Sequence, residues 1–268
     1  MRRGSKWILL ILCFVLLCEG CASPINVVKS DGSKSNYVKA KKIESALIEP
    51  DNYIGKWIKV YGQITSGPQV DGANGYLVCY KGQGTRYFFV STTNANFKVG
   101  DYIKVDAKIN DIVTRKNAFG DDLSVAELSD AKITKTTYDK VEAPAYKTIK
   151  PKKSSQKIDG VQFEVKKVEY AESETRVYIT VTNKTDYELY CASAYTVIQQ
   201  GDTVINPNTS ESIIEREGYD QIASSIDPGD SSSGIVLFSI VSPEKSSQVI
   251  TSVFDSLGQE YDFTIDVN

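Results

Sequence analysis

The chain has 268 residues, 41% of them hydrophobic and 10% aromatic, which is enough apolar content to build folded cores and excludes a disordered chain. It contains no histidine, so the usual general base near neutral pH, the commonest zinc ligand and the base of Ser–His and Cys–His arrangements are all missing. The net charge of -3 hides an asymmetry: residues 37–138 hold 14 Lys and Arg against 11 Asp and Glu, whereas residues 158–268 hold 6 against 19, giving nets of +3 and -13.

The chain opens with Arg2, Arg3 and Lys6, continues with the unbroken apolar run Trp7–Leu17, and reaches Gly20-Cys21. The apolar run is shorter than the roughly 20 residues a membrane-spanning helix needs, so residues 1–20 read as a cleaved signal segment. The arrangement resembles a bacterial lipoprotein signal peptide, with one departure: Cys18 stands three places before Cys21, where Leu is usual, and Leu17 lies one place further back. That resemblance implies lipidation at Cys21, with two acyl chains of the palmitate kind, and a protein held by the lipid on the extracytoplasmic face of the cell membrane. Residues 21–36 are polar and rich in Ser, and read as a tether. Cys13 and Cys18 leave with the signal, so Cys79 and Cys191 remain; each sits in a strand-like run, and two buried free thiols are expected.

Tyr37–Pro50 is predicted to be a helix with Ile43, Ala46, Leu47 and Ile48 on its apolar face, ended by Pro50. In the strand that follows, Ile58, Val60 and Ile64 alternate with Trp57, Lys59, Tyr61 and Gln63. GYLVCYK and TRYFFVST read as a hairpin. Ile103, Val105, Ala107 and Ile109 alternate with Tyr102, Lys104, Asp106 and Lys108, and Leu123–Thr134 supplies a fifth strand. The run Pro50-Asp51-x-Tyr53-x-Gly55-Lys56-x-Ile58-x-Val60-x-Gly62-x-Ile64, the turn Val99-Gly100-Asp101 and the late Ala131-x-Ile133 resemble the OB fold of the anticodon-binding type found in bacterial lipoproteins. The resemblance covers residues 37–138 and implies a five-stranded barrel with one short helix.

Residues 139–157, with 6 Lys, Pro144 and Pro151, lack apolar periodicity and read as an exposed linker. Beyond it, RVYITVTN and EYDFTIDV alternate and ELYCASAYTVIQQ is broken by Gly201-Asp202, so short strands with turn signals predict a sandwich over residues 158–268. Val181-x-Asn183-x-Thr185-Asp186 and Asp227-Pro228-Gly229, followed by Gly234, Phe238 and Pro243, resemble an immunoglobulin-like domain of unknown function that recurs in Gram-positive lipoproteins. The fold class expected is therefore all-β: an OB-fold barrel followed by an immunoglobulin-like β-sandwich.

The ligand surface expected from the residues is Trp57, Lys59, Tyr61, Tyr76, Tyr80, Arg86, Tyr102 and Lys104, because aromatic rings beside cations suit stacking on sugars or bases. Cross-strand packing of the same rings is the competing reading. Asp71, Asp121 and Asp122 lie in loops at spacings that match no calcium loop, and read as solvated turn residues. Several of Tyr187, Tyr190, Tyr195 and Tyr219 are expected to pack between the sheets of the sandwich. The function expected is a non-enzymatic binding or interaction module of the cell envelope, without cofactor or metal, partnered by an envelope glycan or surface protein. A net of +3 is weak for nucleic acid. The enzymatic alternative, a carboxylate-dependent glycan hydrolase, would need two acids facing one cleft.

Overall fold

The computed structural model describes residues 36–81, 84–117, 119–210, 213–214 and 217–268, so the signal segment, Cys21 and the tether up to residue 35 lie outside the described residues. The chain is all-β, in two bodies. The first is built from β1 (Trp57–Ser66), β2 (Gln69–Val70), β3 (Ala73–Tyr80), β4 (Tyr87–Ser91), β5 (Tyr102–Lys116) and β6 (Asp122–Lys135). Its sheet runs β1-β5-β6-β4-β3 and returns to β1, closing a five-stranded barrel in which β4–β6 is parallel and the other pairs are antiparallel; β2 adds to β3. Closure follows from strand alternation: Ile58, Val60, Ile64, Val78, Phe88, Val90, Ile103, Val105, Ala107, Ile109 and Leu128 all point inward and are buried.

The predicted helix is shorter than its sequence range. Only Ile43–Ile48 is α-helical (α1), inserting Ala46 and Leu47 into the barrel core. Residues Ala40–Lys42 tighten into a 3-10 turn, and Tyr37 and Val38 are extended, because the Val38 N–H is bonded to the Trp57 carbonyl at 2.8 Å. The Val99-Gly100-Asp101 turn forms with Gly100 at φ +92°, a conformation that favours glycine, and Asp101 is paired with Lys135 at 2.7 Å.

The second body is a sandwich. One sheet pairs β15 (Ser231–Phe238), β10 (Thr175–Asn183) and β9 (Val161–Tyr170), with β7 (Lys147–Ile149) and β8 (Ser155–Ile158) both along the outer edge of β9. The other is centred on β16 (Gln248–Asp255), flanked on one side by β17 (Glu260–Asp266) and on the other by β11 (Leu189–Tyr190) and β12 (Thr196–Gln200). Two shorter strands, β13 (Thr203–Ile205) and β14 (Ser225–Ile226), extend it. Their inner faces meet in one core, where Phe163 and Phe263 lie 5.7 Å apart between ring centroids.

Residues 139–157 correct the linker expectation. Tyr138–Val141 forms a short helix, α2, Val141, Ala143 and Pro151 are buried, and β7 and β8 belong to the first sheet of the sandwich. The segment lacks apolar periodicity because β7 and β8 leave most of their side chains exposed or only half-buried.

A buried ionic cluster lies where α2 meets the sandwich. The Arg176 side chain is 0% exposed; it donates from Nε at 3.2 Å and Nη2 at 3.1 Å to Glu169, from Nη1 at 2.9 Å to the Ala143 carbonyl, and it also bonds Glu174 and Tyr219. Tyr178 donates to Glu169 at 2.9 Å. Burial opposes ionisation of Glu169, but the bonds from Lys167, Tyr178 and Arg176 outweigh it and hold the carboxyl below its ordinary range. Tyr219 also meets Tyr138 edge to face at 6.1 Å, and Tyr138 meets Tyr102 of β5 at 5.8 Å, so three rings run from barrel to sandwich.

Candidate ligand surface

The outward face of β1, β5 and β6 gathers basic and aromatic side chains by register. Trp57 stands opposite Lys108, Lys59 opposite Asp106 and Tyr61 opposite Lys104, while on the other side of β5 Lys104 faces Thr134 and Asp106 faces Lys132. Lys59, Lys104, Asp106, Lys132 and Thr134 line a shallow hollow of about 200 Å³.

Asp106 organises this hollow. Lys59 pairs with it at 3.5 Å and the Tyr37 hydroxyl donates to it at 3.0 Å. Burial, and then the bond to Asp106, push the Tyr37 hydroxyl above its ordinary pKa. Lys59 lies 4.9 Å from the Tyr37 ring and Lys104 5.7 Å from the Tyr61 ring. Tyr37 and Trp57 are tilted neighbours at 6.2 Å. Lys104 and Lys132 are exposed. The arrangement presents ammonium groups and aromatic rings to solvent around one carboxylate that is already engaged.

Of the eight residues expected on this surface, Trp57, Lys59, Tyr61 and Lys104 are together. Tyr76 and Tyr80 are not: they are 0% and 7% exposed and belong to the barrel core, where the Tyr76 hydroxyl donates to the Asn94 carbonyl at 2.9 Å. Arg86 is ion-paired with Glu44 of α1, and Tyr102 is turned toward Tyr138. Tyr37, Asp106, Lys132 and Thr134 were missed as site residues. Three of them were within reach of the sequence, since Asp106 alternates with Val105 and Ala107, and Lys132 and Thr134 with Ala131 and Ile133. Tyr37 is not legible as a surface residue, because the helical pattern of Tyr37–Pro50 places it off the strand face.

The outward face of β3 and β4 is covered by a second small core of Val70, Leu77, Phe89 and Val125, with the Arg115 guanidinium 4.4 Å from the Phe89 ring centroid. The open face of the barrel is that of β1, β5 and β6.

The loop carboxylates serve the turns. Asp71 accepts from the Lys116 N–H at 2.8 Å, Asp122 pairs with Lys116 at 2.8 Å, and Asp121 accepts from Asn117 at 3.1 Å. Among the described residues no group of three or more Cys, Asp or Glu side chains is placed to hold a metal ion. Cys79 and Cys191 are buried free thiols, as expected, and burial pushes Cys191 up to about 11. The expectation for the sandwich tyrosines is corrected: Tyr187, Tyr190 and Tyr195 are exposed, and Tyr219 lies at the junction with the barrel. A sheet edge with aromatic residues on its polar side has the same alternation as one with them in the core, and only packing separates the two.

No family model matches the chain, and no curated protein does. Among solved structures it is similar to a functionally unknown protein from Listeria monocytogenes EGD-e, at 8% identity over 47% of this chain and 88% of that one, TM-score 0.36. It is also similar to the candidate lipoprotein YcdA of Bacillus subtilis, at 21% identity over 42% of this chain and 38% of that one, TM-score 0.33. A third is the YjhA protein of Bacillus subtilis, at 16% identity over 42% of this chain and 96% of that one, TM-score 0.35. Likeness at this level carries no functional information. Among the described residues no helix is long and apolar enough to cross a membrane.

Proposed function

We propose that this chain is a lipid-anchored, extracytoplasmic protein whose barrel binds an acidic saccharide polymer of the cell envelope, without enzymatic turnover. The cationic start, the short apolar run and Gly20-Cys21 support the anchor. Closure of the barrel through one parallel pair, β4–β6, supports the OB-fold reading, and two sheets packed on one core support the immunoglobulin-like one. The observation that carries the binding role is the hollow lined by Lys59, Lys104 and Lys132, with half-buried Trp57 and Tyr61 on either side of Lys59 along the outward face of β1. Rings can stack on sugar faces there while ammoniums meet carboxylate or phosphate groups. The hollow's one carboxylate, Asp106, is committed to Lys59 and Tyr37, whereas glycoside hydrolysis uses two across a cleft.

The test is affinity electrophoresis with polygalacturonate in the gel and neutral dextran as control. The wild-type chain is expected to be retarded by polygalacturonate alone, and Tyr61→Ala/Lys104→Ala to lose at least about tenfold in affinity with unchanged circular dichroism. Equal retardation of wild type and variant, or none of either, rejects the reading. Retardation by a single-stranded oligonucleotide instead would assign the face to nucleic acid.

A further inference from the structure

A second basic feature lies on the acidic body. Lys150, Lys152 and Lys153, with Ile149, Asp266, Val267 and Asn268, line a half-open groove of about 550 Å³. Its walls are mostly apolar: half-buried Ile149 and the stems of the exposed Lys150, Lys152 and Lys153 face the groove, and Val267 beneath belongs to the sandwich core. The neighbouring Lys147 is paired with Glu244 at 2.8 Å. Among the described residues no ion pair engages Lys150, Lys152 or Lys153. Asp266, the acidic side chain on the wall, accepts from Gln248 at 2.7 Å.

The backbone holds these lysines together. β7 and β8 both pair with β9, Ile149 opposite Val168 and Ser155 opposite Glu164, so residues 150–154 loop out opposite the shorter stretch 165–167. Pro151 is buried, and the Val165 N–H is bonded to the Ser154 carbonyl at 2.7 Å. A bulge with Lys and Pro also blunts a sheet edge against aggregation. One lysine suffices for that, whereas this loop carries three beside an apolar groove, on a body whose residues 158–268 carry a net charge of -13.

We propose that this groove docks on the surface of a membrane rich in anionic phospholipid. A cationic rim beside half-buried Ile149 fits the interfacial zone of such a lipid layer, where lysines are drawn to anionic headgroups and their stems lie among headgroups and upper acyl chain. A soluble polyanion has nothing to place on Ile149. The inference rests on the anchoring reading, since a chain tethered by lipid at Cys21 is held beside such a surface.

Acetylation footprinting of the full chain on vesicles tests it. Phosphatidylglycerol-containing and pure phosphatidylcholine vesicles are compared, with mass spectrometry reading each lysine and Lys184 as the reference outside the groove. Acetylation of Lys150, Lys152 and Lys153 is expected to slow at least about fivefold on the anionic vesicles alone. It should recover at about 0.5 M NaCl, where the Debye length falls to roughly 4 Å. Equal reactivity on both vesicles overturns docking while leaving the anchor intact. Protection by decanoate without vesicles, and none by the anionic lipid, also overturns it, assigning the groove to a soluble amphiphile. Should the chain stay only with anionic vesicles and Lys150→Gln/Lys152→Gln/Lys153→Gln release it, docking stands and the anchor fails. A chain retained on neither vesicle rejects both.

Discussion

Arg176 shows how much of this structure depends on single buried charges. A guanidinium that is 0% exposed is tolerable only because Glu169, Glu174, Tyr219 and the Ala143 carbonyl use its donors. Arg176→Met would leave the buried Glu174 carboxylate without its cation and Glu169 with Lys167 alone, at a cost of about 3 kcal/mol or more in urea unfolding. Adding Glu169→Gln and Glu174→Gln should restore most of it; a single variant as stable as wild type would mean the cluster contributes little. The same cluster sets an acid limit. Because the Glu169 carboxyl is held below its ordinary value of 4.5, its stabilisation is fully present above that pH and is lost as pH falls through the lower folded value. Wild-type stability should therefore decline below about pH 4.5 more steeply than that of Glu169→Gln, read by denaturant melts across the range.

At the scale of elements, the strands are placed by side-chain alternation and pinned by close backbone approaches. Gly234 in β15 is such a point: a Cβ there would lie 2.2 Å from the Ile222 nitrogen and 2.6 Å from the Gln221 carbonyl carbon, and neither backbone atom can swing aside. Gly234→Ala should cost about 1–3 kcal/mol by forcing β15 away from the 221–222 segment, an overpacking penalty visible as a lowered urea midpoint. An unchanged midpoint would show that the segment yields freely. On the barrel, the strand alternation that buries Ile58 and Val60 sends Lys59 and Tyr61 outward, so the candidate surface is a by-product of core formation in β1 and β5.

Across the whole molecule, barrel and sandwich are joined by more than a connecting chain. The Tyr102–Tyr138–Tyr219 ring series, and the bond from Arg176 to the Ala143 carbonyl, carry contact from β5 through α2 into the ionic cluster. Two edge-to-face pairs contribute about 0.5–1.5 kcal/mol each, enough to couple bodies whose own stabilities are only several kcal/mol. Calorimetry should show one transition for the wild-type chain and two for Tyr138→Ala. Two transitions in the wild type, or one in the variant, would show that the rings do not couple the bodies.

The all-β class, the five barrel strands and the inward set of β1 and β5 were legible in the sequence because a strand with one core face and one wet face writes that difference at a period of two. The charge contrast between the halves and the signal-like start were legible in the same way, since both are local properties of composition. The fate of Tyr76 and Tyr80 was not. In β3 both faces are buried, one by the barrel core and the other by the second small core over β3 and β4, so alternation there carries no contrast. The path of residues 139–157, the exposure of Tyr187, Tyr190 and Tyr195, and the assembly of Ala143, Glu169, Glu174 and Tyr219 around Arg176 were likewise decided only in three dimensions. Each depends on which distant segment arrives as a neighbour, and a long-range contact leaves no periodic trace in the residues that make it.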